Sequence, residues 1–381
     1  MIKNLKLILS SFYYNFKIRF SILYYLFFNK KIDNDLLLKE KINKRGLKWS
    51  SNSETEVFLI CSINNWETDL VNSFKNYKTT YHFNWPNVTD FFKNKNEWSF
   101  FYKNLNSKLC LEFDKFYEKS KNIIVFIYAS DFSISNKTIL YLKRKNVLII
   151  SFCWDDLLNF RGTVKNQPVG VSKLSKIVDF NLTMSPETLP KYNYYNSVCF
   201  FWDSLPLHNK VYKKLKKIET KDFYVLFIGS SYGYRGIFIK KLIKIGIKFK
   251  CYGRGWENDY LDDSDYAKEI LKAPLTLGFS FVGTTKNITT IKGRDFEVPL
   301  IGGLYLTQYS KGLNYYYNLN KDILTYLNIN DCLMKINMIR DNPDLAFKIR
   351  NSGYNQAQKI SSWESRIKFL DKKIKSVVNY K

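Results

Sequence analysis

The sequence predicts an α/β protein that contains two parallel-sheet domains. Short apolar runs of strand length alternate with helical stretches in both halves of the chain, and this alternation is typical of strands buried between layers of helices. At 381 residues the chain is too long for one ordinary domain, which usually holds roughly 100 to 200 residues. We therefore expect a basic amphipathic segment and linker at residues 1–50, a Rossmann-like domain at 51–205 and a second one at 206–381.

The first predicted domain begins after a polar linker around residues 46–52. A connector around Trp202 and a lysine-rich stretch at residues 210–221 separate it from the second domain. Within it, the apolar runs predict strands at residues 56–61, 79–83, 123–128, 147–152 and 177–184, with a helix at residues 136–145.

The second predicted domain repeats the same rhythm. Phe238, Leu242 and Ile245 share one face of its first helix, and further helices are expected at residues 266–272 and at the carboxyl terminus. Strands are expected at residues 223–229, 247–252, 275–280 and 304–307.

Composition excludes global disorder, because 45% of the residues are apolar and 17% are aromatic. The formal net charge of +26 has two interpretations, since the excess of Lys, Asn, Ile, Tyr and Phe also points to AT-rich codons. Either the basicity reflects base composition, or it serves an anionic partner such as lipid headgroups, a nucleotide donor or nucleic acid.

The cysteines and histidines argue against a metal centre. Six cysteines are widely spaced without a Cys-x-x-Cys pair, and the histidines are His82 and His208. We interpret the cysteines as buried free thiols in a reducing cytosol, and we expect neither a zinc nor a non-haem iron site.

The first 31 residues form a basic amphipathic pattern without any acid. Their longest apolar run, residues 22–28, is far shorter than the roughly 18 to 20 residues that a membrane-spanning helix needs. Two interpretations remain: an interfacial helix on an anionic cytoplasmic leaflet, or a helix packed on the protein's own N-terminal domain. The basic residues are Lys3, Lys6, Lys17, Arg19, Lys30 and Lys31, and the apolar stripe is Leu5, Leu9, Phe12, Phe16, Phe20, Leu23 and Phe27.

A glycine-rich turn, residues 229–236, leaves a predicted buried strand and enters a helix. The amides of such a helix start, together with the helix dipole, can bind a phosphate. The alternatives are a turn that merely requires glycine, and a nicotinamide site. NAD binding normally shows an acid at the end of the second strand, where this chain has Tyr252, Gly253 and Arg254, so only an NADP version would remain.

A second stretch, residues 292–307, combines a carboxylate with a glycine pair. Glu297 stands five residues before Gly302, and Gly303 leads into a β-prone segment. We interpret this as a short helix, a tight turn and a buried strand, which leaves the carboxylate facing a crevice at a strand end. Nucleotides bind in such crevices; the alternative is an acid at a helix start without a ligand.

Paired carboxylates follow a predicted strand of the first domain. Asp155 and Asp156 can perturb each other's pKa, and one could serve as a base or stabilise positive charge on a substrate. The alternative is that one of them caps the next helix and the other is solvated. His82 is a weaker candidate for the base, with a surface histidine as its alternative.

With Arg294-x-Phe296-Glu297, the glycine pair and an aliphatic strand in this order, the chain resembles the nucleotide-binding core of GT-B glycosyltransferases. Within that class it resembles the branch typified by the spore maturation protein CgeB. The resemblance covers residues 222–372 well and residues 55–200 loosely. It implies two Rossmann-like domains that face each other across a cleft, flanked here by an N-terminal amphipathic helix and C-terminal helices.

The resemblance also implies a donor site. Arg235 matches the position of the lysine that holds the donor diphosphate, and Glu297 matches the glutamate that accepts hydrogen bonds from both ribose hydroxyls. Ser230 replaces the usual arginine, and Thr289 stands where many retaining members carry a second glutamate, so the contact to the transferred sugar is in doubt. The implied donor site consists of Gly229, Ser230, Arg235, Tyr252, Gly253, Arg294, Glu297, Gly302 and Gly303.

These features together predict a glycosyltransferase that needs no metal and no cofactor. It would move a sugar from a nucleotide-sugar donor to a glycan, lipid-linked or protein acceptor in polysaccharide biosynthesis. We expect it in the cytoplasm, with peripheral attachment to the inner face of the cell membrane if the first helix is interfacial. The alternatives are a basic nucleic-acid-binding protein, disfavoured by its scattered basic residues, and a GT-B scaffold without catalysis.

Overall fold

The computed structural model describes residues 2–28, 32–51, 53–63, 67–84, 95–154, 156–164, 167–202, 222–258, 260–285, 288–360 and 363–380. The chain divides into two compact units. Unit 1 contains residues 1–17 and 205–362, and unit 2 contains residues 18–204 and 363–381. Each unit has its own parallel sheet with helices, which confirms the predicted α/β class.

Unit 2 is built on a six-stranded sheet whose neighbouring strands are all parallel. Its first nine strands are β1 (Lys48–Trp49), β2 (Thr55–Cys61), β3 (Thr80–Phe83), β4 (Asn122–Tyr128), β5 (Val147–Cys153), β6 (Arg161–Val164), β7 (Gln167–Gly170), β8 (Phe180–Thr183) and β9 (Cys199–Phe201). The main sheet has the order β3-β2-β4-β5-β8-β9, while β6 and β7 form a separate antiparallel hairpin. The middle strands are buried over nearly their whole length, as strands covered on both faces must be.

The helices of the first half of the chain are α1 (Ile2–Phe27), α2 (Asn34–Arg45), α3 (Glu67–Tyr77), α4 (Lys95–Tyr117), α5 (Asn136–Lys143), α6 (Asp156–Asn159), α7 (Leu174–Ile177) and α8 (Leu189–Tyr194). Helices α1 and α2 precede β1, and the others lie between strands in sequence. The first part of α1, up to residue 17, belongs to unit 1. Local signals explain their limits: Asp33 caps the start of α2 and Ser135 that of α5, and Gly46 ends α2 in the left-handed conformation.

Helix α1 exposes its apolar stripe. Ser11 and Ile18 are buried at 6% and 3% exposure, and at about 3.6 residues per turn they lie on the side opposite the stripe. Among the described residues, no helix is both long enough and apolar enough to cross a bilayer. The described members of the stripe, between 58% and 85% exposed, are Leu9, Phe12, Phe16, Phe20, Leu23 and Phe27.

Unit 1 contains a five-stranded parallel sheet of order β11-β10-β12-β13-β14. Its strands are β10 (Val225–Ile228), β11 (Phe249–Tyr252), β12 (Leu275–Leu277), β13 (Tyr305–Gln308) and β14 (Leu324–Tyr326). Its helices are α9 (Tyr234–Lys244), α10 (Asp263–Lys272), α11 (Arg294–Ile301), α12 (Ile329–Asp341) and α13 (Pro343–Ile360). The strand order changes direction at β10, so the carboxyl ends of β10 and β12 border a crevice of the kind that binds ligands in open α/β sheets.

The carboxyl terminus belongs to unit 2, whereas the sequence assigned residues 206–381 to one domain. Helix α14 (Trp363–Lys375) is followed by β15 (Asn379–Tyr380), which pairs with β1. The buried indole of Trp202 donates from Nε1 to the backbone carbonyl of Arg366 at 3.3 Å. Helical periodicity predicted the helix, but it carries no information about which sheet the helix covers.

Candidate nucleotide-binding site

Two glycine turns meet at the carboxyl ends of β10 and β11. Gly229 follows β10 and donates its backbone N–H to the carbonyl of Tyr252, the last residue of β11, at 2.8 Å. Two residues later, the backbone N–H of Ser231 donates to the carbonyl of Arg254, also at 2.8 Å. The half-buried Ser230 lies between these two contacts. The structure thus brings together Gly229, Ser230, Tyr252 and Gly253, all of which the sequence predicted for the site.

Glycine is required where these turns touch. Gly253 has a φ of +110°, and an added Cβ would lie 3.0 Å from the carbonyl carbon of Gly229. The indole Nε1 of Trp256 donates to the carbonyl oxygen of Gly229 at 2.7 Å and fixes the turn from the other side. A side chain at position 253 would separate the two turns.

Arg294 begins helix α11 and extends its guanidinium to the first turn. A Cβ on Gly229 would lie 3.1 Å from Arg294 Nη2, so the guanidinium covers this glycine directly. Its Nε is buried and has no hydrogen-bond partner among the described residues. An unpartnered donor at the end of a parallel strand is available to a ligand.

Arg235 is the second residue of α9 and lies at the same edge of the sheet. It is only 7% exposed, and its guanidinium carbon lies 4.3 Å from the ring centre of Tyr232 and 5.5 Å from that of Phe281. Burial lowers the pKa of Arg235 to about 10, and the nearby charge of Arg294 adds to the effect. Because one pKa unit corresponds to about 1.4 kcal/mol, the buried charge is destabilised by roughly 3 kcal/mol. Its Nε also has no partner in the part of the chain that the structure describes.

Glu297 lies one helical turn after Arg294 on α11. The hydroxyl of Tyr266, on α10, donates to Glu297 Oε2 at 2.8 Å. Burial, and then the charge of Glu297, raise the pKa of Tyr266 well above its usual value, so this hydroxyl stays a donor. The other oxygen, Oε1, accepts no hydrogen bond among the described residues and is open to a ligand. The sequence did not identify Tyr266, because its partnership with Glu297 is formed only in the fold.

Asp295 holds the start of α11 in place. It is fully buried and accepts hydrogen bonds from Tyr305 Oη at 3.0 Å, from Thr307 Oγ1 at 3.2 Å and from the backbone N–H of Lys292 at 2.7 Å. Burial raises the pKa of Asp295 to about 6. The sequence missed this residue, although Tyr305 and Thr307 are two apart on β13 and therefore share a face.

The glycine pair at the end of α11 serves the packing of the helix. Gly302 ends the helix with a left-handed φ of +95°. An added Cβ on Gly303 would lie 2.5 Å from Ile270 Cγ2 and 2.8 Å from Val298 Cγ1. The pair therefore lets α10 and α11 approach closely, and its predicted contact with a donor stays a prediction.

The carboxylates predicted in unit 2 lie in different situations. Asp155 is outside the described residues, and its catalytic role stays a prediction. Asp156 is fully buried at the start of α6, where Tyr192 Oη donates to Oδ2 at 2.9 Å. Burial raises the pKa of Asp156 to about 7. Asp156 is therefore shielded from solvent in this structure, and its catalytic role also stays a prediction.

His82 is half-buried in β3 rather than exposed on the surface. Its Nε2 lies 2.9 Å from the backbone carbonyl of Cys61, which identifies Nε2 as the protonated nitrogen. Burial lowers the pKa of His82.

Among the described residues, no three His, Cys, Asp or Glu side chains are grouped so that they could hold a metal ion.

Known proteins share the fold of this chain. Residues 235–372 match the family model described as glycosyl transferase-like. The solved structure of Anabaena HepE in complex with UDP is similar with a TM-score of 0.51 and 10% identity, over 85% of this chain and 100% of that one. The fold is GT-B.

Two further GT-B structures resemble most of the chain in the same way. Sucrose-phosphate synthase from Thermosynechococcus elongatus has a TM-score of 0.55 and 11% identity, over 84% of this chain and 98% of that one. The catalytic domain of starch synthase IV from Arabidopsis thaliana has a TM-score of 0.56 and 9% identity, over 86% and 100%. This chain covers 54% of the length of TarM, another similar structure. A search of curated proteins found no match.

Proposed function

We propose that the chain is a glycosyltransferase whose nucleotide-sugar donor binds at the carboxyl ends of β10 and β11. One observation carries the proposal: Arg235 and Arg294 lie near each other at this edge, and the Nε of each is buried without a hydrogen-bond partner among the described residues. The charge of Glu297 favours the charged form of Arg294, whereas the nearby Arg294 disfavours that of Arg235, so the pair still lacks an anion on the side of Arg235. A diphosphate carries the charge and the acceptor oxygens that such a pair needs.

The start of α9 adds its helix dipole to the same site. The N-cap residue is Gly233, and no side chain among the described residues caps the helix. The backbone N–H of Arg235 donates to the carbonyl of Tyr232 at 3.3 Å, and the dipole of the helix favours negative charge at this end. Arg235, on the first turn, would bind the same diphosphate from the side.

These groups also account for the chemistry of transfer. When the bond from the sugar to the diphosphate breaks, negative charge builds up on the departing diphosphate. Arg235, Arg294 and the helix dipole of α9 would stabilise this charge as it develops. We therefore propose transfer without a metal ion and without a cofactor beyond the donor itself.

Glu297 is proposed to bind the ribose of the donor. Tyr266 occupies Oε2 and fixes the orientation of the carboxylate, so that Oε1 can accept a hydrogen bond from a ribose hydroxyl. Oε2 has lone pairs left for the second hydroxyl.

Similar structures support this ligand class. HepE has been solved in complex with UDP and with UDP-glucose, and starch synthase IV bound to ADP and acarbose. By analogy we propose a nucleoside diphosphate sugar as donor, and a glycan, lipid-linked or protein acceptor. From Arg294-x-Phe296-Glu297 we also propose membership of the CgeB-type branch and a place in polysaccharide biosynthesis.

We propose that the protein works in the cytoplasm and attaches peripherally to the inner face of the membrane. The support is the exposed apolar stripe of α1, together with the exposed Lys17 and Arg19 beside it. The membrane-surface interpretation of α1 fits this exposure better than the packing interpretation does, because the packed side of α1 is the opposite one.

A ligand screen tests the proposed function. UDP, ADP and GDP, their glucose conjugates and the matching nucleosides are added to the full chain, and the melting temperature is followed. A ligand that binds the folded state at about a hundred times its Kd stabilises the protein by about 2.7 kcal/mol. We expect at least one diphosphate to raise the melting temperature more than its nucleoside does. The proposal fails if no diphosphate or sugar conjugate shifts it at millimolar concentration.

A further inference from the structure

A loop at residues 281–285 connects helix α1 to the candidate diphosphate site. Ser10 Oγ of α1 lies 3.1 Å from Thr284 Oγ1, within hydrogen-bond distance. Two contacts hold the loop together: Thr285 Oγ1 donates to the carbonyl of Val282 at 2.7 Å, and Phe281 pairs with Thr289 in a β-bridge. A displacement of Thr284 would therefore be shared by the whole loop.

The same loop contacts both cationic parts of the site. An added Cβ on Gly233, the residue before α9, would lie 3.4 Å from the carbonyl oxygen of Gly283 and 3.7 Å from Thr284 Cα. The ring of Phe281 lies 5.5 Å from the guanidinium carbon of Arg235. One short loop thus supports the start of α9 and the buried arginine, and α1 contacts that loop.

The outer side of α1 is largely exposed to solvent. Leu9, Phe12 and Phe16, which lie in the same unit as Ser10, are 60%, 74% and 63% exposed. The first 31 residues carry six basic residues and no acid, so their charge complements an anionic surface. An anionic bilayer surface offers both the apolar interior and the negative charge that this helix lacks.

We infer that anionic lipid at α1 and nucleoside diphosphate at Arg235 bind with positive linkage through Ser10 and Thr284. A helix with large exposed apolar side chains is marginal in water, and covering those side chains with lipid stabilises it. A stable α1 holds Thr284, and with it Gly283 and Phe281, against the diphosphate site. By reciprocity the nucleotide strengthens lipid binding by the same factor. This inference rests on the proposed donor site.

Equilibrium titration tests the linkage. UDP, ADP and GDP are titrated into the full chain alone, with phosphatidylcholine vesicles, and with vesicles that also contain phosphatidylglycerol. We expect vesicles with phosphatidylglycerol, but not those of phosphatidylcholine, to lower the Kd of whichever nucleotide binds. The decrease should be about five-fold or more, since five-fold is the low end of typical allosteric couplings. We expect the same nucleotide to lower the vesicle Kd by an equal factor in a sedimentation assay.

Two variants test the contact between Ser10 and Thr284 and the apolar stripe separately, and a third serves as a control. Ser10→Ala removes the contact with Thr284 and leaves the stripe unchanged, so it should bind vesicles and nucleotide separately as the wild type does but show no coupling. Ser21→Ala, on the same helix, is the matched control and should keep the coupling. Phe12→Ser combined with Phe16→Ser should lose vesicle binding and keep the uncoupled nucleotide affinity.

The outcomes are distinguishable. An unchanged nucleotide Kd on vesicles that demonstrably bind the protein overturns the linkage and leaves the donor site standing. Coupling that persists in Ser10→Ala overturns the proposed route. Failure to bind anionic vesicles, with a dimer in light scattering, assigns the stripe to a second copy of the chain and overturns the lipid partner. Failure of every nucleotide to bind under all conditions removes the proposed function itself.

Discussion

Tyr266 and Glu297, which lie on different helices, share a 2.8 Å hydrogen bond from the phenol to Oε2 of the carboxylate. Since Tyr266 stays protonated and orients the carboxylate, Glu297→Gln should weaken binding of nucleoside and nucleoside diphosphate by roughly 1.5 to 3 kcal/mol, the range for hydrogen bonds to a charged group. Calorimetric titration and a melting curve measure affinity and folding separately. Glu118→Gln, at an exposed position of unit 2, is the control. An unchanged affinity in the folded Glu297 variant would contradict the assignment.

Arg235→Met should separate diphosphate binding from nucleoside binding. The unbranched thioether fills much of the same volume but cannot bind an anion, so affinity for a nucleoside diphosphate should fall at least about ten-fold while affinity for the nucleoside stays within about two-fold. Arg235→Lys should restore part of the loss. The ligand-free variant should melt no lower than the wild type, because it loses a buried charge whose Nε has no hydrogen-bond partner among the described residues. Equal loss for both ligands would point to a collapsed turn instead.

Gly253→Ala should abolish nucleotide binding, because the added methyl would press on Gly229 and separate the two turns. Gly246→Ala is a matched control: Gly246 also has a positive φ, +97°, but open space surrounds it. The control should lose roughly 1 to 2 kcal/mol in free energy of unfolding from backbone strain and keep its affinity. Urea denaturation and calorimetry measure the two effects. If the two variants bind the nucleotide with equal affinity, the close approach of Gly253 to Gly229 is not needed for binding.

The free energy of unfolding should decrease as pH rises because of the carboxyl group of Asp156. Burial raises its folded-state pKa from the usual 3.8 to about 7, so between these values the folded protein keeps a proton that the unfolded chain releases. The stabilising contribution is complete below pH 4 and is lost by about pH 7. It amounts to at most about 4 kcal/mol.

Asp156→Asn should flatten this dependence in urea denaturation measured from pH 5 to pH 8. Part of the slope should remain, because burial also raises the pKa of Asp295, to about 6. An identical slope in wild type and Asp156→Asn would show that the carboxyl is charged throughout.

Any transfer or donor hydrolysis activity should survive EDTA, since the proposed stabilisation of the diphosphate comes from Arg235, Arg294 and the helix dipole of α9. Release of the nucleoside diphosphate from the sugar conjugate is measured before and after chelation. Loss of activity with recovery on adding Mg²⁺ or Mn²⁺ would assign the reaction to a metal-dependent mechanism.

Strand positions could be predicted well where burial on both faces produces an apolar run. The expected strands at residues 123–128 and 147–152 are found at Asn122–Tyr128 and Val147–Cys153. The expected strand at residues 177–184 is shorter, Phe180–Thr183, because the apolar residues before it end α7. An apolar run marks burial, and burial is common to strands and helix faces.

Tertiary partnerships could not be predicted in the same way. Glycine spacing indicated Gly229 and Gly253 as turns, but not that the two touch each other. Nothing local to Tyr266 indicates Glu297, and nothing local to Asp156 shows that it is buried. Such facts depend on the order of strands in the sheet, which one sequence does not display.

The assignment of residues 363–380 to unit 2 has a consequence for protein synthesis. The indole of Trp202 donates to the carbonyl of Arg366, a residue that the ribosome adds more than 160 residues after Trp202. The sheet of unit 1 is complete in the nascent chain before the final helix of unit 2 exists. The half of the protein that is translated first is therefore the half that finishes folding last, and a premature stop after residue 362 would damage the amino-terminal unit rather than the carboxyl-terminal one.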